Sequence, residues 1–263
     1  MAEIYMVGIG RFDLDGPGRL NLALQKIAPD TVLLEGNAGL HNAAKLYYQS
    51  LIDELNDRGV DDEIVKTFLI NKPNAGHENV AQNYASSKGI KFEYLNDMVY
   101  YPSDKKMRLG AKRDVKSLID NGNTPEKLYS DARVNQDRIL KNWYEIENVT
   151  KIKRRDEGLS KEYERSDEVI SSSYIRVPLY VGNVRIHSIH RDISVDERAD
   201  VMLESILANI SDENQKIATI TAFGHLLNDR DNRTLNSKLV KEFGNANSDV
   251  QLQRVFLYPY FSI

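Results

Sequence analysis

Hydrophobic and polar positions along the chain first fall into a strand–helix–strand pattern. Ile4 to Val7 is a short apolar run rich in strand formers, stopped by Gly8-Ile9-Gly10. A helix is expected next. Asp15 or Gly16 can cap it, Pro17 suits its first turn, Leu20, Leu24 and Ile27 recur at helical spacing, and Pro29-Asp30 ends it. Thr31-Val32-Leu33-Leu34 is a continuous apolar run, as expected of a strand buried on both faces, and it breaks off at Glu35-Gly36-Asn37.

The alternation continues with a helix over about Leu40 to Leu55, a strand at Thr67 to Ile70, a helix at Val80 to Ser87, and a strand at Lys91 to Leu95 ending in Asn96-Asp97. From Asp104 to Glu168 the texture changes to a charged, helix-favouring stretch that includes Lys151-Ile152-Lys153-Arg154-Arg155. Its apolar content looks thin, so 104–168 reads as a helical insertion or cap. Tyr174 to Val181 is a strand candidate. Ser194-Val195-Asp196-Glu197 then has the form of a capping box ahead of Ala199, Met202, Leu203, Ile206 and Ile210. Ile217 to Thr221 is another buried-strand run ending at Ala222-Phe223-Gly224-His225, and Val255-Phe256-Leu257 closes the series. Strands alternating with helices predict an α/β fold with a central, largely parallel or mixed sheet flanked by helices, in a single domain over 1–263.

Composition narrows the chemistry. The 263 residues contain no cysteine, which excludes disulfides, thiolate metal sites, iron–sulfur clusters and a cysteine nucleophile. Catalysis must use oxygen or nitrogen groups. A net charge of −4 gives no overall positive field for nucleic acid or an anionic membrane, and the basic run at 151–155 is followed directly by acids, as in a solvated helix face. Nucleic acid is therefore not expected as a partner. No apolar run approaches the roughly 18 residues of a membrane span, and the first residues lack the basic and apolar regions of a signal peptide. The expectation is a cytoplasmic protein.

In open α/β sheets ligands bind beyond the carboxyl ends of the strands, so polar residues at strand ends are the first candidates for function. Arg11 follows the first strand, Glu35 the second, Asp97 a later one, and His225 the run at 217–221. If these strands are parallel, all four side chains reach one rim, where a glutamate, an aspartate and an imidazole can hold a divalent metal or share acid–base work. Each also has a plain structural role open to it: capping or ion pairing for Glu35 and Arg11, a turn for Asn96-Asp97, a single backbone bond for His225. Gly8-Ile9-Gly10 is only half of a dinucleotide fingerprint, since Asp13 stands where the third glycine belongs. His187 and His190 fall in a strand or loop where they need not share a face.

The ordered motifs resemble the TraB, PrgY and Tiki group, related more distantly to the erythromycin-esterase and ChaN-like folds. Val7-Gly8-Ile9-Gly10-Arg11 resembles the group's first Gly-x-x-His motif, with Arg11 at the histidine position. Pro29-Asp30-Thr31-Val32-Leu33-Leu34-Glu35 matches its Pro-Asp-x-Val-x-x-Glu strand in full. Ala81 to Ala85 followed by Tyr94-Leu95-Asn96-Asp97 is similar to its alanine helix, strand and aspartate, with Met98 in place of an arginine. Glu197-Arg198-Ala199-Asp200-Val201-Met202 resembles the Glu-Arg-Asp-x-x-Met helix start, and Ala222-Phe223-Gly224-His225 the second Gly-x-x-His.

The resemblance implies a metal-dependent hydrolase, of peptidase type in the Tiki branch, with a site built from two histidines, the glutamate and the helix-start arginine. Carried onto this chain, Glu35, Arg198 and His225 are the catalytic candidates, Arg11 and Asp97 the ligand-binding ones, and Glu35 with His225 the donors for manganese, cobalt or zinc. Arg11 in place of a neutral donor works against a cation beside Glu35 and favours an anionic ligand held by Arg11 and Arg198. Two functions are expected from this: hydrolysis at a cleft outside the strand ends, or non-catalytic binding of a peptide or small anion in the same cleft.

Overall fold

The computed structural model describes residues 1–10, 15–36, 38–59, 75–95, 104–120, 155–173, 179–181, 184–186, 195–211, 213–244 and 249–257. The expected strand at 67–70, Arg11, Asp97, His187, His190 and the Ser194 cap lie outside them.

Five strands, β1 (Ala2–Ile9), β2 (Thr31–Leu34), β3 (Lys91–Tyr94), β6 (Lys216–Ala222) and β7 (Val250–Phe256), form one sheet in the order β3-β2-β6-β1-β7. Every pairing in it is parallel, which confirms the α/β class. β1 and β2 are both in the sheet but are not neighbours, because β6 returns from late in the chain to lie between them. A separate antiparallel pair joins β4 (Leu179–Val181) to β5 (Val184–Ile186).

The period-2 alternation of side chains sorts the strands onto two faces. Val7 and Ile9 of β1, Val32 and Leu34 of β2, and Ala218 and Ile220 of β6 pack with α1 (Gly16–Ile27) and α3 (Ala75–Lys88) through Leu20, Leu24, Ile27, Ala81, Tyr84 and Ala85. Ile4, Met6, Leu33 and Ile217 face the other way, onto α6 (Val195–Asn209) through Ala199, Met202 and Ile206 and onto α7 (Leu235–Phe243) through Leu235 and Leu239. All four residues of β2 are buried, as the unbroken apolar run predicts. α1 keeps the spacing expected of it; Ala28 ends it in a left-handed conformation, its N–H donating to the Leu24 carbonyl at 2.9 Å. Thr234 caps α7 by accepting from the Ser237 N–H.

The charged segment contributes more core than its composition suggests. α2 (Ala38–Asp57) pairs with α4 (Asp104–Asp120), and Met107, Ala111 and Val115 form a fully buried stripe one turn apart on α4. The Tyr47 hydroxyl donates to the Asp114 carboxylate across this buried seam. Tyr48 meets the Tyr47 ring edge to face at 5.1 Å, and burial together with the Asp114 charge raises its hydroxyl pKa. α5 (Arg155–Ser173) is the other described helix of the segment.

Candidate functional site

Because the strands are parallel, their carboxyl ends share one rim, and the alternation decides which face each rim residue takes. Leu33 points toward α6, so Glu35, two residues on, emerges on the same side. α6 runs back toward β6 and therefore starts at that rim, which puts Arg198 in its first turn opposite Glu35. β6 ends at Ala222 and passes into a 3-10 turn, Phe223–Leu226, that carries His225. β2 and β6 are adjacent, so the three sequence candidates meet.

Arg198 Nη2 donates to Glu35 Oε1, and the pair is an ion pair with side-chain exposures of 27% and 7%. The backbone N–H of Ala222 donates to the other oxygen, Oε2, at 2.7 Å. His225 Nε2 lies 3.7 Å from Oε1, and the imidazole side chain is also only 7% exposed. This spacing is longer than a hydrogen bond but close enough for strong electrostatic coupling in a buried setting. Glu35 is thus a carboxylate bonded by a guanidinium and a main-chain amide, with an imidazole beside it.

Gly8 lets the His225 turn sit close against β1: a Cβ there would lie 2.9 Å from Leu226 Cδ2, a side-chain end, and 3.3 Å from Phe223 Cα, so both would have to give a little. Gly8 of β1 therefore bears on the turn that carries His225. Gly8→Ala is expected to destabilise the protein by about 1–2 kcal/mol, through displacement of the turn. Urea denaturation at neutral pH checks this, and an unchanged midpoint would show that the turn does not bear on β1.

Further polar groups at the rim were not singled out by the sequence. The alternation places Thr219 and Thr221 on the α6 face, and both hydroxyls are fully buried with no hydrogen-bond partner among the described residues. On the opposite face, the first turn of α3 carries buried His77 and Glu78. Burial and the charge of Arg19 lower the His77 pKa to about 4, so the imidazole is neutral. Tyr94 closes β3, its hydroxyl accepting from Gln82 Nε2 at 2.7 Å. Burial, and then the charge and hydrogen bond of Glu78, raise the pKa of that hydroxyl. Helical spacing of His77 with Ala81, Tyr84 and Ala85 was the available signal.

Among the described residues the donor set does not fit a divalent metal. Glu35 and His225 come together as expected, but no group of three histidine, aspartate or glutamate side chains suited to a metal occurs among the described residues. The oxygen nearest the imidazole already bears the Arg198 guanidinium. A cation there would have to displace another cation. No described helix is long and apolar enough to cross a membrane. Comparison with protein-family models, with curated proteins and with solved structures finds no match to this chain.

Proposed function

We propose that the chain is a divergent TraB/Tiki-like hydrolase that cleaves an acyl bond of peptide type without a metal. His225 carries the proton, Arg198 meets developing negative charge, and Glu35 holds both in place. The observation supporting this reading is the convergence of Glu35, Arg198 and His225 at the rim from three separate stretches of chain. Both Glu35 oxygens are engaged, so Glu35 is a poor base and a good orienting anion for an imidazolium. In this chemistry His225 takes a proton from water as the oxygen attacks the carbonyl carbon. The resulting oxyanion lies toward Arg198, and the proton returns to the leaving amine or alkoxide as the acyl bond breaks.

The second reading is a binding protein for a peptide or small anion, and the engagement of both Glu35 oxygens favours it. Assay of the purified protein against activated esters and a mixed peptide library, with and without chelator, separates the two. Hydrolysis predicts chelator-insensitive turnover that falls about a hundredfold or more in His225→Ala. Product formed equally by the wild type and that variant overturns the hydrolase. Absence of product, with a dicarboxylate or phosphate raising the melting temperature of wild type but not of Arg198→Met, establishes binding instead.

A further inference from the structure

We propose that Glu162 of α5 and Arg254 of β7 are positioning residues for His225, a role that rests on the reading of Glu35, Arg198 and His225 as the functional site. A four-residue 3-10 turn has too few internal hydrogen bonds to hold an imbedded side chain by itself. Here the chain on the far side of His225 is gripped at two points. Glu162 Oε1 accepts the backbone N–H of Asn228 at 2.7 Å, and Oε2 accepts the Asn228 side-chain amide at 3.1 Å. Arg254 Nη1 donates to Glu162 Oε1 and also to the Leu226 carbonyl at 3.0 Å. Residues 226 and 228, just beyond the imidazole, are thereby fastened to the ion pair of the buried Glu162 carboxylate with the half-buried Arg254 guanidinium.

The way α5 is seated supports the same conclusion. Over 159–168, where its burial is described, the buried residues are Glu162 and Ser166, both polar and one turn apart. Ser166 donates to Asp229 at 3.4 Å, and Arg233 bridges Asp229 to Asp167 of α5. Burial pushes the Asp229 carboxyl up, but the bonds from Arg233 outweigh it and leave the group below its ordinary pKa. A helix serving only to cover core would present apolar residues. α5 presents hydrogen-bonding groups to the backbone of Asn228 and to the side chains of Asn228, Asp229 and Arg233, just beyond His225, which ties the charged segment to the site. A displacement of about 1 Å matters to acid–base chemistry, and the clamp fixes that distance.

The test uses the imidazole resonances of the labelled full chain, with His225 assigned by their loss in His225→Ala. Glu162→Ala and Arg254→Met are expected to move or split the His225 cross-peak, while Glu162→Gln, which keeps an acceptor toward Asn228 and Arg254, restores its position. The Ile4 and Ile217 methyl peaks report whether the core stays folded, and Glu162→Gln and Arg254→Met keep the test open should Glu162→Ala fail to fold. A His225 peak at its wild-type position in both disruptive variants, with only the unfolding midpoint lowered, overturns the proposal. Failure of the site reading gives a different result: Glu35→Gln then leaves the His225 peak unmoved, whatever Glu162 does.

Discussion

Arg198→Met is expected to cost about 3 kcal/mol of stability at pH 8, and Glu35→Ala about 2 kcal/mol. The order follows from exposure. Removing Arg198 takes a guanidinium from the Glu35 carboxylate, whose side chain is 7% exposed, whereas removing Glu35 takes a carboxylate from a guanidinium that is 27% exposed and can turn toward water. Glu35 keeps the Ala222 N–H in the first case, so the loss falls short of a fully orphaned charge. Urea denaturation of both single variants and the double variant at pH 8 measures this. A coupling energy below about 0.5 kcal/mol at pH 8 would mean that the pair is screened like a surface salt bridge.

The same pairing explains how one site leaves two functional readings open. A carboxylate bonded by an arginine and a main-chain amide cannot readily take a proton from water, so any catalysis falls to the imidazole next to it. That cluster is also how a protein holds an anionic or hydrogen-bonding ligand without reacting. Glu35 is common to both readings, and turnover in His225 variants, not Glu35 variants, decides between them.

Much of this site was legible because it sits where strands end. The run 31–34 announces its own burial, and a parallel sheet puts Glu35 and His225 on one rim whatever the strand order. Arg198 was legible only through the motif resemblance. The strand order was not legible, since the placement of β6 between β1 and β2 is fixed by pairings such as Glu3 with Lys216 and Thr31 with Ile217, far beyond any local pattern. β7 was recognised only at its final apolar residues because Gln251, Gln253 and Arg254 interrupt the pattern. An edge strand tolerates them, and Arg254 has its own partner in Glu162. Helix α7 lies within a run of asparagines and aspartates that reads as loop. α4 was undervalued because basic residues flank the spaced apolar positions that make its buried stripe.

His77 should dominate the acid limb of the stability curve. Its imidazole is 3% exposed in the first turn of α3, and its Nε2 has no hydrogen-bond partner among the described residues. Its pKa falls from 6.5 in the unfolded chain to about 4 in the native state. Above pH 7.5 both states are neutral and the residue contributes nothing to pH dependence. As pH drops through 6.5 the unfolded chain takes up a proton that the native protein refuses, so unfolding is favoured increasingly until the native imidazole itself protonates near pH 4. The full penalty is about 3 kcal/mol, from the size of the shift. His77→Leu removes that linkage and deletes no Nε2 hydrogen bond, so at pH 8 it should be close to neutral. At pH 4.5 the variant should retain about 2 kcal/mol more of its pH 8 stability than the wild type, because the remaining titrating groups are common to both. Parallel losses in the two proteins between pH 8 and pH 4.5 would show that the imidazole protonates in the native state as readily as in the unfolded chain. The α1–α3 seam would then have to admit water or an anion to His77.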